Sequence, residues 1–155
     1  MPTVREIMTE NPVTVRLDTP VSELQRLLDA HGFRHLPVVD RRELRGVISD
    51  RDVLRALSPF IGSLSERSQD AAALRRRAHQ VMSRAAVTIG PDAELAEAAE
   101  LMIETRVGCL PVVEESDGPG PGRLVGIVTW PDALAAAAGL PKPGADPIGP
   151  PAEAA

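Results

Sequence analysis

The chain contains two copies of one sequence unit. Residues 13–15 (VTV) correspond to residues 87–89 (VTI), an offset of 74 (87 minus 13). The same offset, without a gap, brings LPVVD at 36–40 onto LPVVE at 110–114. Because two copies of one sequence must adopt one local structure twice, this duplication restricts the fold more than any single motif does.

The second half of each unit repeats another motif at a longer offset. GVISDRD begins at Gly46 and GIVTWPD begins at Gly126, an offset of 80 (126 minus 46). The six additional residues of the second copy fall in EESDGPGPGR, whose Gly and Pro content is typical of a turn. Both motifs place Asp three positions after a hydroxyl residue, so the same pair of side chains occurs in each copy.

Each copy has the residue pattern of a β-α-β-β-α unit. In the first copy, an alternating strand at 13–15 precedes the helix-start signal DTP, and apolar residues then recur at helical spacing until Gly32 ends the helix. HLPVV and GVIS predict two strands joined by the charged turn DRREL. DRDVLRAL predicts a second helix with Val53, Leu54 and Leu57 facing inward. One such unit buries too little apolar surface alone, so the sequence predicts an α/β (α+β) protein of two packed repeats.

The repeats set the expected domain boundaries. We place the first repeat at residues 2–57 and the second at 80–138. The linker at 58–79 is expected to be partly helical, since its Ala, Leu and Arg content from Asp70 onward favours a helix. The tail at 139–155 is rich in Pro, Gly and Ala and has little to bury, so it is predicted to be disordered.

The composition argues against nucleic-acid binding. The net charge is -5, and the only dense basic cluster, Arg75–Arg77, is better explained as a solvated helix face. Aromatic residues make up 2% of the chain, so platforms for stacking single-stranded bases are almost missing. A planar ligand would therefore be held mostly by aliphatic side chains and backbone amides.

The sequence predicts a soluble, cytoplasmic protein. Cys109 is the single cysteine and has no partner for an internal disulfide. MPTVREIMTENPVTV carries charges where a signal peptide needs an apolar core, and no stretch has the length of a membrane span. Abundant Ala, Arg, Pro and Gly with a single Lys are typical of a GC-rich bacterial genome.

The order of these motifs resembles the cystathionine beta-synthase (CBS) domain. The resemblance rests on a strand with a central Thr, an amphipathic helix, LPVVD and a Ghh(S/T)xxD motif, twice in fixed order from Pro2 to about Ala138. Two tandem CBS units form a Bateman module, which implies repeats packed about a pseudo-twofold axis with two clefts between them. Such modules bind AMP, ADP, ATP, S-adenosylmethionine or sometimes NAD, regulate another protein and are not usually catalytic. Stand-alone pairs commonly form homodimers.

The repeated Asp suits recognition of a ribose. An ionised carboxylate only accepts hydrogen bonds, and Asp52 or Asp132 can accept from both hydroxyls of a ribose at once. Ser49 or Thr129, three residues earlier, can cap the helix and also face the sugar or phosphate. Ordinary helix capping is the better explanation of an isolated occurrence, and it is the duplicated context that favours ligand contact.

Two clefts follow from the resemblance. In nucleotide-bound family members, the Asp of one copy faces the first strand and the LPVV segment of the other copy. The main cleft is therefore expected to contain Val13, Thr14, Val15, Arg34, His35, Leu36, Pro37, Arg51, Thr129 and Asp132. The second cleft is expected to contain Ser49, Asp52, Val87, Thr88, Ile89, Gly108, Cys109, Leu110 and Pro111.

Basic residues make the two clefts unequal. Arg34, His35 and Arg51 match positions that contact phosphates in some family members, including the gamma subunit of AMP-activated protein kinase. The second copy has Gly108, Cys109 and Pro131 at those positions. The Asp132 cleft is therefore expected to take a phosphorylated nucleotide. The Asp52 cleft is expected to be weaker, empty or suited to a less charged adenosine compound.

Other interpretations stay open at this point. His35 also fits a structural histidine at a strand edge, and Arg34 a surface partner of Asp40 or Glu43. A protein-interaction dimer with empty clefts is the alternative to a nucleotide sensor. The sequence identifies no regulated partner and no obligatory cofactor.

Enzyme and metal sites are disfavoured by the sequence. It has neither a nucleophile elbow nor a Gly-rich phosphate loop, and nothing near Cys109 activates a thiolate. His31 and His35 have metal-ligand spacing, but Gly32 interrupts the helix that such a site requires. We therefore expect neither a catalytic residue nor a bound metal.

Overall fold

The computed structural model describes residues 1–57, 68–84, 86–115 and 122–143. The expected disorder of the tail beyond residue 143 lies outside these residues, as do part of the linker and most of the Gly/Pro-rich insertion. Within them, helices and antiparallel strands form an α+β protein, which confirms the expected class.

The elements follow the repeated order. The helices are α1 (Val4–Ile7), α2 (Val21–His31), α3 (Asp50–Ala56), α4 (Ser68–Ala73), α5 (Ala78–Val81), α6 (Leu95–Thr105) and α7 (Trp130–Ala137). The strands are β1 (Thr9–Glu10), β2 (His35–Asp40), β3 (Glu43–Ser49), β4 (Cys109–Glu114) and β5 (Arg123–Thr129). Helix α2 ends at Gly32, which has φ +65°, so this sequence expectation is confirmed.

The chain forms two compact units that do not coincide with the sequence repeats. Unit 1 holds Met1–Pro12, Arg42–Leu44 and the described residues from Ala86 onward. Unit 2 holds Val13–Arg41 and the described residues from Arg45 to 84. The first residues of the first repeat therefore belong to the unit built mainly from the second repeat.

In unit 1, β5 is the central strand. It pairs antiparallel with β4 along its length and with the short β1 on its other side. Backbone bonds hold the N-terminal segment to this unit, since Val4 N donates to Ala93 O at 2.8 Å and Leu95 N donates to Pro2 O at 3.0 Å. Helices α1, α6 and α7 cover the sheet, and the core includes Val4, Leu110 and Val128, all fully buried.

Unit 2 repeats this plan. Strands β2 and β3 form a hairpin, and α2, α3 and α5 bury Val21, Leu24 and Ile48 against it. Ser83 bridges Val47 at the edge of the hairpin, with N to O distances of 2.9 and 3.1 Å. The segment after α5 therefore has the same position in unit 2 as the segment after α1 has in unit 1.

A methionine lies against a glycine in each unit. A Cβ atom added to Gly126 would lie 2.6 Å from Met8 Sδ and 2.8 Å from the carbonyl oxygen of Thr9. A Cβ atom added to Gly46 would lie 2.8 Å from Met82 Sδ and 2.7 Å from another backbone oxygen. Only glycine allows this close approach, which explains the Gly that opens both repeated motifs.

The predicted first strand of each repeat is wrong. Only Val15 and Ile89 form isolated parallel bridges, to Val38 and Val112. The backbone turns directly afterwards in both copies, with Thr19 N bonded to Arg16 O at 3.2 Å and Ala93 N bonded to Gly90 O at 3.3 Å, so the pairing does not extend past the bridges.

Three local expectations are corrected. Leu54 points outward with 69% of its surface exposed, because Val53 occupies the inward face of the short α3. The turn between β2 and β3 is shorter than DRREL, and Arg41 and Arg42 have φ +51° and +70°. These values fit the tight type I′ hairpin that Asn-Gly usually forms, and they are strained for arginine. The cluster Arg75–Arg77 lies between α4 and α5 rather than on a helix face.

Candidate functional site

The start of α3 is a reciprocal cap. Ser49 N donates to Asp52 Oδ2 at 2.8 Å, and Asp52 N donates to Ser49 Oγ at 3.1 Å. The capping interpretation of this motif is therefore confirmed. Capping leaves Oδ1 of Asp52 without a hydrogen-bond donor among the described residues, so one carboxylate oxygen stays available.

The start of α7 differs in its hydrogen bonds. Both the backbone N–H and the hydroxyl of Thr129 donate to Asp132 Oδ2, at 3.0 and 2.9 Å. Asp132 is only 7% exposed, and its Oδ1 has no donor within the described ranges. No described side-chain oxygen is both fully buried and unpaired, so Oδ1 reaches the surface. Asp132 is thus a buried carboxylate with one oxygen held and the other open.

In unit 2, the beginning of β2 lies beside the start of α3. Asp50 N donates to Arg34 O at 2.8 Å, which joins the two segments. Burial lowers the pKa of His35, with a smaller effect of the same sign from Arg34, while Asp50 and Asp52 act to raise it. His35 is therefore near Asp52 and is neutral at pH 7.

Arg34 is not a surface partner of Asp40. Asp40 instead pairs with Arg45, at 3.5 Å, and no described carboxylate pairs with Arg34. Arg34 and Arg51 are both exposed. Unit 2 therefore offers two solvent-facing guanidinium groups on the segments that carry His35 and Asp52.

In unit 1, the equivalent segments also meet. Trp130 N donates to Gly108 O at 3.0 Å, and Cys109 is the strand partner of Thr129. Burial, with a smaller contribution from the charge of Asp132, raises the pKa of the Cys109 thiol to about 12. Cys109 is therefore an uncharged thiol at neutral pH, close to Asp132 but unsuited to act as a nucleophile.

The remaining predicted residues contribute mainly backbone. The side chains of Leu36, Pro37, Leu110 and Pro111 are fully buried in the two cores, so they are not free to contact a ligand. Their strands hold the short first segments: Val15 N donates to Pro37 O at 3.0 Å, and Ile89 N donates to Pro111 O at 3.1 Å. The neighbouring residues Val13, Thr14, Val87 and Thr88 are at least partly exposed.

Each unit thus brings together one full set of the repeated motifs from a single copy. Arg34, His35 and Arg51 accompany Asp52 in unit 2, while Gly108 and Cys109 accompany Asp132 in unit 1. The family resemblance implies a different grouping, in which the Asp of one copy faces the strand of the other copy. That grouping stays a prediction. Sequence reasoning also left Trp130 out of the candidate residues, although its position between Thr129 and Asp132 was a signal.

A cavity of about 490 Å³ in unit 2 lies at the other end of β2. It is lined by Arg16, Leu17, Asp18, Val39, Asp40 and Arg41 and contains none of the predicted ligand residues.

Across the described part of the chain, no group of three or more His, Cys, Asp or Glu residues is placed to hold a metal ion. None of the described helices combines the length and apolarity needed to cross a membrane.

Comparison with known proteins agrees with this duplicated architecture. The sequence pattern of the CBS domain family matches the chain twice, at residues 4–59 and 78–139. The chain belongs to the CBS domain family. A CBS domain-containing protein of Dictyostelium discoideum is 36% identical over 133 residues, which cover 84% of this chain and 88% of that protein. Several other curated relatives are longer, and the chain spans between 21% and 45% of their length.

Solved CBS structures have the same fold. The structure of CBSX2 in complex with AMP matches with a TM-score of 0.73 and 27% identity, covering 90% of this chain and 98% of that one. The CBS domain pair of MJ0100, in complex with 5′-methylthioadenosine and S-adenosyl-L-methionine, matches with a TM-score of 0.70 and 25% identity. That match also covers 90% of this chain and 98% of the other. The expected CBS domain pair is therefore confirmed.

Proposed function

We propose that this CBS domain pair is a regulatory module that senses an adenosine-containing nucleotide rather than an enzyme. The observation that supports the proposal most is the available carboxylate oxygen of Asp52 and Asp132, each beside the first residues of its LPVV strand. Ligand binding would shift the balance between conformations, and a regulated protein would read that shift. By linkage, that protein would change the affinity for the nucleotide to the same extent.

The carboxylates suit the sugar of the ligand. In both units, Oδ2 is occupied by the backbone N–H of the capping residue, which fixes the orientation of the carboxylate. The free Oδ1 can then accept hydrogen bonds from the two neighbouring hydroxyls of a ribose. A group already held in place loses little conformational entropy on binding, which favours affinity.

The charges around Asp52 favour a phosphorylated ligand there. Arg34, Arg51 and the N–H of His35 belong to the same unit as Asp52, and guanidinium groups bind phosphate oxygens strongly. Unit 1 has no Lys, Arg or His at the equivalent positions. We therefore propose AMP, ADP or ATP for the Asp52 site, whereas the grouping across copies predicts them for the Asp132 site.

Relatives of similar fold support the ligand class. CBSX2 was solved with AMP, and MJ0100 was solved with two other adenosine compounds. Both chains are matched over nearly their whole length. The adenosine moiety common to these three ligands is what we carry over to this protein as a proposal.

Isothermal titration of AMP, ADP and ATP tests the function and its location. Asp52→Asn keeps an oxygen to accept from Ser49 N but loses the charge, so we expect nucleotide affinity to fall about tenfold or more. Asp132→Asn should leave it nearly unchanged. Asp29→Asn, an exposed substitution on α2, is the control for a change of net charge.

Each outcome of this titration is informative. Selective loss in Asp132→Asn would instead support the grouping across copies. Absence of heat and of thermal stabilisation with every nucleotide, S-adenosylmethionine and NAD would contradict the sensor and leave a protein-interaction module.

An exposed leucine at equivalent positions supports the expected homodimer. Leu54 and Leu134 are related by the offset of 80 (134 minus 54), and they are 69% and 61% exposed. Apolar patches that stay exposed mark protein–protein interaction sites. We propose that these helix faces contact a second copy of the chain.

The oligomeric state should respond to charge on these faces. We expect a Leu54→Glu, Leu134→Glu variant to have a lower mass than the parent in light scattering coupled to gel filtration, because it buries two charges at the contact. Leu140→Glu, at a similarly exposed leucine outside the helices, is the control. An unchanged dimer in the double variant would place the interface elsewhere.

A further inference from the structure

Trp130 is the only tryptophan in a chain with almost no aromatic residues, and it stands at the candidate site of unit 1. Its side chain is 52% exposed, although it lies between Thr129 and the buried Asp132. A Cβ atom added to Gly108 would lie 3.2 Å from Trp130 Cδ1, so the indole lies against the residue before β4. A larger residue at 108 would displace it.

The residues that flank this indole at the start of α7 and the start of β4 do not favour an anion. The open Oδ1 of Asp132 is anionic, and the neighbouring Cys109 thiol is uncharged. Pro131 has no N–H to offer an anion, whereas Arg51 stands at the same position in unit 2. The indole face itself attracts cations through its quadrupole.

We propose that the unit 1 site selects an adenosine ligand that carries a positive charge next to the ribose, and that Trp130 recognises this charge. The inference rests on the proposed function, since it assumes that Asp132 accepts the ribose hydroxyls. It assigns different ligand classes to the two repeats: an anionic nucleotide at Asp52 and a cationic nucleoside at Asp132. The change from Arg51 to Pro131 at equivalent positions removes a positive charge, and together with the indole of Trp130 it then determines which ligand class unit 1 prefers.

The matched pair S-adenosylmethionine and S-adenosylhomocysteine provides the test. The two differ only in the methyl group that makes the sulfur a sulfonium cation, so the ratio of their affinities measures recognition of that charge. In the full chain we expect S-adenosylmethionine to bind about three- to thirtyfold more tightly, the range of a cation–π contact. The emission of the single tryptophan should change on binding, and calorimetry measures the affinity independently.

Variants at Trp130 separate recognition from packing. Trp130→Leu should reduce the affinity ratio to about one, while Trp130→Phe keeps a ring and should keep part of the preference. Ile103→Ala, at an exposed apolar residue of α6 in the same unit, is the control for loss of exposed apolar surface and should leave the ratio unchanged.

The outcomes distinguish this inference from the proposed function. Equal affinities in the parent protein, or a ratio that Trp130→Leu does not alter, would overturn the role of Trp130 while nucleotide binding at Asp52 remains. If neither compound binds and the AMP, ADP and ATP titrations also fail, the proposed function is wrong as well. Binding of S-adenosylmethionine that survives Asp132→Asn would overturn the assignment to unit 1.

Discussion

Leu110→Ala is expected to lower the free energy of unfolding by about 2 to 5 kcal/mol. Leu110 is fully buried in the core of unit 1, where β4 packs under α1 and α6. Removing its side chain loses buried apolar surface and leaves a cavity that the surrounding strands and helices only partly fill. Urea denaturation followed by circular dichroism measures the change.

An exposed leucine of the same unit is the matched control for Leu110. Leu140 is 63% exposed, so Leu140→Ala should change the stability by less than about 0.5 kcal/mol. If both variants unfolded at the same urea concentration, the burial of Leu110 in the unit 1 core would be contradicted. Leu36→Ala, the equivalent substitution in unit 2, should be similarly destabilising because Leu36 is also fully buried.

Gly126→Ala is expected to destabilise the protein by about 1 to 3 kcal/mol, the usual cost of overpacking. The new methyl group would lie 2.8 Å from the carbonyl oxygen of Thr9, which belongs to the backbone and cannot turn away as Met8 Sδ can. The pairing of β1 with β5 at Glu10 and Gly126 must therefore shift. The midpoint of urea unfolding measures this cost.

Gly90 provides the comparison for Gly126. No atom lies within 4 Å of a Cβ added there, so Gly90→Ala should be neutral or slightly stabilising. A Gly126→Ala protein as stable as Gly90→Ala would contradict the close approach of the N-terminal segment to β5.

The duplication and its motifs were sufficient to predict the family and the α+β class. They also predicted the end of α2 at Gly32, because a left-handed residue after an apolar helical stripe is usually Gly. These features depend on local residue preferences. The motifs occur independently in each copy, whereas the left-handed residue that ends the equivalent helix α6 is Arg106. Agreement between the two copies made the interpretation stronger than one copy would.

The packing partners of each segment could not be predicted in the same way. Met8 stands in the first repeat but lies against Gly126 of the second, and no local preference specifies which copy a short helix joins. The inward assignment of Leu54 failed because a seven-residue helix has room for few buried positions, and Val53 takes one. Residue patterns specify elements, whereas neighbours depend on how those elements pack.

In the candidate site, too, local features were predictable from the sequence and neighbours in space were not. The Ser or Thr and Asp pairs were found from spacing alone, since a capping box is a local structure. The placement of Arg34 and His35 beside Asp52 depends on the hairpin of β2 and β3, which brings residues from its two ends together. The exposure of Trp130 depends on what covers α7, and one sequence does not reveal that.

The assignment of Met1–Pro12 to unit 1 has a consequence during protein synthesis. These residues leave the ribosome well before the strand that pairs with them, β5, which ends at Thr129. At a translation rate of roughly 5 to 20 residues per second, the segment waits on the order of ten seconds for its partner. Unit 2 has a shorter delay, because its described segments are complete once residue 84 has emerged. The apolar face of α1, with Val4 and Ile7, is therefore open to chaperones for longer than the apolar residues of unit 2.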